Sequence, residues 1–374
     1  MLKTLLMLKH LKIEGVLINF IVDNFSQDEF ASLFNGNVLE LQFKYNIFNQ
    51  KNLDMLLKEE VIKRTDEYVD NLIQKSEEQN IKIISYFDDR YPTALRNINK
   101  RPLFVYLKGN EKILNAESTI ACVGTRNPSK KASDSVENIV SNLVGHGIVI
   151  VSGLAKGIDT NAHRACINNK GKTIAVLAHG LDKIYPKENA RLAEKILEND
   201  GLLLTEYPVD TEIKKDYFVA RNRIVSGISN SVIIFEADEK SGTMHTARFA
   251  YKQGKKIFCP VNIYDEVDNL SSGVSKLLST RSAYPFNNAN EILNLIFGEK
   301  KQKKEIGQSL TPQYLKLNVY DDNEHEFIEN HLIEIDRFLL NKLEEMAMNQ
   351  NLTLQELILN TFRDKVNGDG ILDE

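Results

Sequence analysis

Between residues 119 and 262 the chain alternates short apolar runs with segments of helical spacing. The runs are "TIACVG", "IVIVSG", "KTIAVLAHG", "LLLTEYP", "SVIIFEA" and "KKIFCP". Between them Val136, Ile139, Val140, Leu143 and Val144, then Leu192, Ile196 and Leu197, recur at three- and four-residue steps, the spacing of one face of a helix. Runs that stay apolar without alternating predict strands covered on both faces, and strand–helix–strand repetition predicts parallel pairing through right-handed crossovers. The pattern therefore predicts an α/β protein built on a doubly wound, mostly parallel sheet.

The flanks differ. Residues 1–80 are helical in pattern, with Leu53, Leu56, Leu57, Val61 and Ile62 on one stripe, and predict a helical N-terminal domain. Residues 81–298 hold the sheet domain, with its core over 119–262. A polar, lysine-bearing stretch including "GEKKQKKEIGQ" predicts a linker over 299–324, and residues 325–374 predict a small, mainly helical module. There a short strand leads to a helix over Arg337 to Asn349, then a turn in which Thr353 and Glu356 form a capping box, then a second helix. That order resembles a ribbon-helix-helix module, which dimerises through its strand; a plain helical hairpin fits the periodicity equally well. With Ile333 and Ile335 facing the core, Asn330, Leu332 and Glu334 would be exposed, poor ligands for DNA, so dimerisation is the expected role.

At 374 residues and 42% hydrophobic the chain can bury a sizeable core, and about 150 residues per domain predicts two or three units. No run reaches the ~18 apolar residues of a membrane span. The opening "MLKTLLMLKHLKIEGVLINF" is broken by Lys3, Lys9, Lys12 and Glu14 and lacks a cleavage site, so a cytoplasmic protein is expected. Cys122, Cys166 and Cys259 are too scattered for a disulfide frame or a zinc site, and are expected to be reduced and buried. The net charge of −5 argues against a uniformly nucleic-acid-binding surface, yet residues 119–262 carry 20 Lys and Arg against 15 Asp and Glu, a local +5. A local basic groove is the feature to expect.

In a sheet of this kind ligands sit outside the carboxyl ends of the strands, where helix N-termini present unpaired N–H groups. The first run delivers Gly124, Thr125 and Arg126 to that edge. The second delivers Ser152, Gly153, Lys156, Gly157 and Asp159, and the fifth delivers Lys240, Ser241, Gly242 and Thr243. Glycine permits close backbone approach, free N–H groups bind anions and the cations add charge, so phosphate is the expected ligand. Neither G-x-G-x-x-G after the first strand nor a Walker A motif is present, which weakens dinucleotide and nucleoside-triphosphate readings. Farther on, "DYFVARNRIVSGIS" sets Arg221 and Arg223 beside Tyr217 and Phe218, guanidinium groups for phosphates and aromatic faces for unpaired bases. Phe218 in the core with the arginines in ion pairs is the competing structural account.

The blocks "DDRYPTALRNINKRPLFVYLKGN", "VGTR", "VSGLAKGIDTNAHR", "TIAVLAHGLDKIYPKENARLAEKI", "LLLTEYP", "FVARNRIVSGIS" and "SGTMHTARFAYKQGKKIF" follow in an order that resembles the DNA-processing protein family DprA, also called Smf. The resemblance spans about Ile83 to Tyr284. It implies an extended Rossmann-like domain that binds single-stranded DNA without strong sequence preference, forms a homodimer and helps load the recombinase RecA in natural transformation. It implies no cofactor. By motif position the family's arginine falls on Arg126 and its lysine before Ser-Gly on Lys240, while Lys156, Asn161, His163, Arg221, Asn222 and Arg223 occupy other signature positions. The chain departs from the family where Pro260 is followed by Val261 and Asn262, and in its tail.

Two other functions share this superfamily: a sensor of a nucleotide-derived signal, and a phosphoribohydrolase. The latter resembles the fold but carries a catalytic glutamate where this chain has Thr246 in "EKSGTMHTA". Asp159, His163 and His245 suggest acid–base chemistry on paper, but Asp159 is more simply expected as an N-cap and His163 as a local loop contact. The expectation is a binding protein with no catalytic or metal-ligating residues.

Overall fold

The computed structural model describes residues 1–261, 270–297, 313–320, 327–335 and parts of 343–358. Two compact units emerge, one of Asp70–Ile306, the other of Lys3–Val69 with Gly307–Glu374.

The N-terminal pattern resolves into six helices: α1 (Leu2–His10), α2 (Gly15–Asn24), α3 (Gln27–Ser32), α4 (Val38–Tyr45), α5 (Gln50–Leu56) and α6 (Glu59–Glu78). Helix α3 starts at a capping box in which Ser26 and Glu29 exchange side-chain-to-backbone bonds, satisfying two N–H groups that a helix start otherwise leaves open.

The larger unit is a nine-stranded sheet. Its strands are β1 (Lys82–Ser85), β2 (Phe104–Gly109), β3 (Thr119–Val123), β4 (Val149–Ser152), β5 (Thr173–Leu177), β6 (Leu202–Thr205), β7 (Ser231–Ile234), β8 (Lys256–Pro260) and β9 (Tyr284–Phe286), in the order β1-β2-β6-β5-β4-β3-β7-β8-β9. The pairs from β6 to β9 are parallel; β1–β2 and β2–β6 are antiparallel. The doubly wound, mostly parallel sheet predicted above is present, extended at one edge by the antiparallel β1 and β2. These two lie in a stretch whose sequence showed only a connection to the sheet.

Alternate residues of each strand feed opposite cores. Ile120, Cys122, Ile150 and Ile233 pack with Val136, Ile139 and Val140 of α7 (Lys130–Gly145) and with Ile158 and Ala162 of α8 (Ile158–Asn168). Ala121, Val123, Val151, Ile174 and Val176 pack on the other side with Ile224 and Val225 of α10 (Lys215–Gly227) and Ala247 and Ala250 of α11 (Thr243–Lys252). Helix α9 (Ala190–Glu198) joins β5 to β6, and α12 (Ser272–Ser279) and α13 (Ala289–Phe297) complete the unit. Cys122, Cys166 and Cys259 are free and buried. Among the described residues no helix is long and apolar enough to cross a membrane.

This order places a topological switch between β3 and β7. From β3 the chain winds outward through β4, β5 and β6, then returns to lay β7 on the other flank of β3. The connections leave the two carboxyl ends in opposite directions and open a crevice, where sheets of this kind bind ligands.

Beyond the sheet domain, β10 (Gln313–Tyr320) pairs antiparallel with β11 (Phe327–Ile335) from Gln313↔Ile335 to Tyr320↔Phe327. The strand expected near 330–335 is therefore present, but its partner is a segment expected as linker. The two runs satisfy their backbone N–H and C=O groups on each other within the chain, whereas a ribbon-helix-helix strand would pair with a second copy. The described residues of 325–374 include β11 and helical residues at 343, 344, 346–348, 354 and 356–358. The Thr353–Glu356 capping box is formed, with both backbone N–H groups bonded to the opposite side chain. Much of the helix expected over 337–349, and of the one after Thr353, lies outside the described residues.

Candidate nucleic-acid interface

Three turns meet at the crevice, and backbone bonds join them. Thr125 N–H donates to Glu236 O at 2.7 Å, Ile158 N–H donates to Thr125 O at 3.1 Å, and Thr243 Oγ1 donates to Gly124 O at 2.9 Å. Asn222 of α10 adds a bond from Nδ2 to Gly242 O at 3.3 Å. Gly157 allows backbone to pass close to backbone. Its φ is +78°, and a Cβ there would lie 2.3 Å from Thr125 O, so only glycine fits the crossing of the first two turns. Helices α10 and α11 both begin without a side-chain cap, leaving the positive end of each macrodipole open.

The result is a cleft of about 730 Å³. Of the predicted residues, Gly124, Thr125, Arg126, Phe218, Arg221, Asn222, Ser241, Gly242 and Thr243 line it. Arg126 is exposed and, among the described residues, makes no ion pair. Tyr185, Ile213, Lys215, Val219 and Thr246 also line the cleft. Tyr185 and Ile213 lie in loops whose position depends on the fold, so no local pattern marks them as cleft residues. Lys215, at the start of α10, was legible as a helix-initial cation next to the aromatic pair.

Arg221 is 5% exposed. Its Nη1 donates to Gly153 O at 2.6 Å and Val176 O at 2.5 Å, and its Nε to Asn222 Oδ1 at 3.2 Å. Gly153 is required here, since a Cβ would fall 1.9 Å from Arg221 Nη1. The buried Asp159 faces this guanidinium. Burial pushes the Asp159 carboxyl above its usual range, while the Arg221 charge and the N–H groups of Ala155 and Gly153 pull it back. The floor of the cleft is therefore a buried cation held mainly by carbonyls.

Asp159 was expected as the N-cap of α8. The N-cap is Gly157, and Asp159 Oδ2 instead accepts Gly153 N–H at 3.1 Å and Ala155 N–H at 3.4 Å, bracing the loop before the helix.

Several predicted residues stay away from the cleft. Ser152 is fully buried and donates to Cys122 O at 2.7 Å. Gly153 and Gly157 act through the backbone contacts described above. Lys156 is exposed and paired with Glu188 at 2.7 Å. Arg223 is buried in a two-point ion pair with Glu206, both contacts 2.6 Å, and Nε donates to Lys100 O at 2.8 Å. The competing structural account holds for this arginine. Tyr217 stacks on Tyr207 at 4.2 Å. Lys240 lines a neighbouring cavity of about 470 Å³ with Arg248, Tyr251 and Lys276.

His163 is fully buried and cannot reach a ligand in the cleft; its Nδ1 pairs with Thr173 Oγ1 at 2.8 Å, not with the Lys156 loop. Burial lowers its pKa to about 3, so the folded state resists a proton that the unfolded chain accepts near pH 6.5. Stability is then complete above pH 6.5 and falls as pH drops toward 3. Between pH 6.5 and 5 the loss attributable to His163 is about 2 kcal/mol. Urea unfolding at the two pH values tests this, with His163→Gln expected to remove most of the difference.

Among the described residues no group of three or more His, Cys, Asp or Glu is placed to hold a metal ion.

The fold and cleft define an extended Rossmann-like domain with a crevice at its switch point lined by Arg126, Lys215 and Arg221. The sequence model for DNA recombination-mediator protein A matches residues 82–297, and the chain belongs to that family. It is 42% identical over 211 residues to the DNA processing protein DprA of Streptococcus pneumoniae, a match covering 56% of this chain and 73% of that one. It is 40% identical over 189 residues to DprA of Bacillus subtilis, covering 50% of this chain and 63% of the relative, so the second match spans less than two thirds of its length. The X-ray structure of DprA from S. pneumoniae superposes with a TM-score of 0.57 at 32% identity, over 76% of this chain and 98% of the other. DNA processing protein A of Helicobacter pylori, whose structure is described for its single-stranded DNA binding mode, matches with a TM-score of 0.53 at 32% identity, over 59% and 96%.

Proposed function

We propose that this chain binds single-stranded DNA without strong sequence preference, with the sugar-phosphate chain lying in the crevice between β3 and β7. In this reading it acts in the cytoplasm as a homodimer and passes the strand to a RecA-type recombinase. The observation that carries the binding claim is the convergence of three turns around Arg126, Lys215 and Arg221, beside two aromatic rings in one cleft. Cations and open helix starts favour phosphates of any sequence. Rings beside them favour bases that are not already paired. Family membership supports the recombination role; recombinase transfer and dimerisation rest on it alone. Lys240 and the neighbouring cavity then belong to the path of the strand beyond the crevice.

Gel-shift titration with a single strand, the matching duplex and a mononucleotide competitor tests the proposal. The single strand is expected to bind more tightly than the duplex, with log affinity falling against log salt by about 0.7 per phosphate neutralised. Tight, saturable binding of a mononucleotide with weak DNA binding would transfer the cleft to the nucleotide-sensor reading instead.

A further inference from the structure

The loop between β5 and α9, "AHGLDKIYPKEN", carries part of one sequence block that the phosphate cradle leaves unexplained. It is pinned at both ends. His179 is 1% exposed; its Nδ1 donates to Gly180 O at 2.8 Å, so Nε2 is left as an acceptor, and it takes the Tyr185 N–H at 3.2 Å. Desolvation lowers the His179 pKa, which keeps this acceptor unprotonated. At the other end the buried Asn189 donates from Nδ2 to Leu154 O at 2.8 Å and Thr160 Oγ1 at 2.9 Å, tying the loop to the turn after β4.

Between these two anchors the Tyr185 side chain is 44% exposed. Its ring meets Phe218 edge to face, with centroids 5.6 Å apart and planes at 60°. Both residues line the cleft, together with the half-exposed Ile213 and the cations Arg126 and Lys215. No hydrogen bond of the Tyr185 hydroxyl is formed among the described residues. A large ring held out into water by a fixed backbone loses little entropy when something stacks on it. Aromatic faces beside cations suit an unpaired base whose phosphate lies in the cradle.

We propose that Tyr185, positioned by His179, forms with Phe218 a slot for one unpaired nucleobase, so that the cleft grips the base separately from the phosphate. This deepens the single-strand reading and rests on it. Stacking is tolerant of sequence because every base has an aromatic face, so the slot selects for an unpaired state.

The test compares an oligothymidylate with an abasic phosphodiester chain of equal length, binding to the full chain by fluorescence anisotropy across a salt series. The wild-type protein is expected to prefer the oligothymidylate. Tyr185→Ala is expected to weaken oligothymidylate binding roughly tenfold while changing the abasic affinity by less than about twofold and leaving the salt slope unaltered. Tyr185→Phe, which keeps the ring, is expected to restore most of the loss. Equal losses on both chains, or none on either, would overturn the slot while the cradle stands. Failure of the wild-type protein to bind either chain would remove the single-strand reading and the slot with it.

Discussion

Replacing Gly157 by alanine is expected to cost about 3 kcal/mol or more of folding stability and to abolish single-strand binding, although the change adds one methyl group. Two effects add. At φ +78° and ψ −127° an L-residue is strained, at a cost of order 1–3 kcal/mol. The new Cβ would also stand 2.3 Å from Thr125 O and 2.6 Å from the Arg126 carbonyl. Those are backbone atoms, which cannot rotate away as a side chain would, so the turns after β3 and β4 must separate. Arg126 then loses its register against the start of α11. Chemical denaturation and anisotropy on the same preparation check both parts, and a stability change under about 1 kcal/mol would mean that the turns do not cross at Gly157.

Arg126→Ala tests charge without disturbing the fold. Its side chain is exposed and engages no carboxylate among the described residues, so the thermal midpoint is expected to stay where it is. Loss of one charged hydrogen bond to phosphate is worth about 1.5–3 kcal/mol, so single-strand affinity should fall at least tenfold. The salt slope should fall by about 0.7. Lys195→Ala, on the exposed face of α9, is the control and should change affinity by less than about twofold. Lys240→Ala is expected to fall between the two, because Lys240 lines the neighbouring cavity. Equal small losses at all three positions would count against the cradle.

What the sequence made legible was local. Apolar runs without alternation announced β3 to β8 as buried parallel strands, and glycines after β3 and β4 announced turns approached closely by other backbone, Gly124 by Glu236 O and Gly157 by Thr125 O, whereas a Cβ at Gly242 after β7 would meet nothing within 4 Å. Both signals lie within a few residues of the feature they predict. The partners of charged side chains are not local. Lys156 finds Glu188, Arg223 finds Glu206 and His163 finds Thr173, each through a contact made only once the sheet is wound. For that reason the sequence named a basic edge without telling which cations face it. Arg126 and Arg221 do; Lys215 takes the place expected for Lys156. The antiparallel β1 and β2 carry apolar runs of their own, "KIIS" and "FVYL", but the polar, turn-rich residues 86–103 between them break the strand–helix alternation that marks β3 to β8. The pairing of β10 with β11 escaped because "QYLKLNVY" follows directly on a lysine-rich stretch.

The identity of the ligand in the crevice is tested most directly by photocrosslinking with a single strand carrying 4-thiothymidine, followed by mass-spectrometric mapping of the adducts. Adducts confined to peptides containing Tyr185, residues 213–222 and residues 241–246, and lost with the matching duplex, are the result expected here. Adducts spread over other faces of the domain, or equal yields from single strand and duplex, would contradict the placement of the DNA strand between β3 and β7.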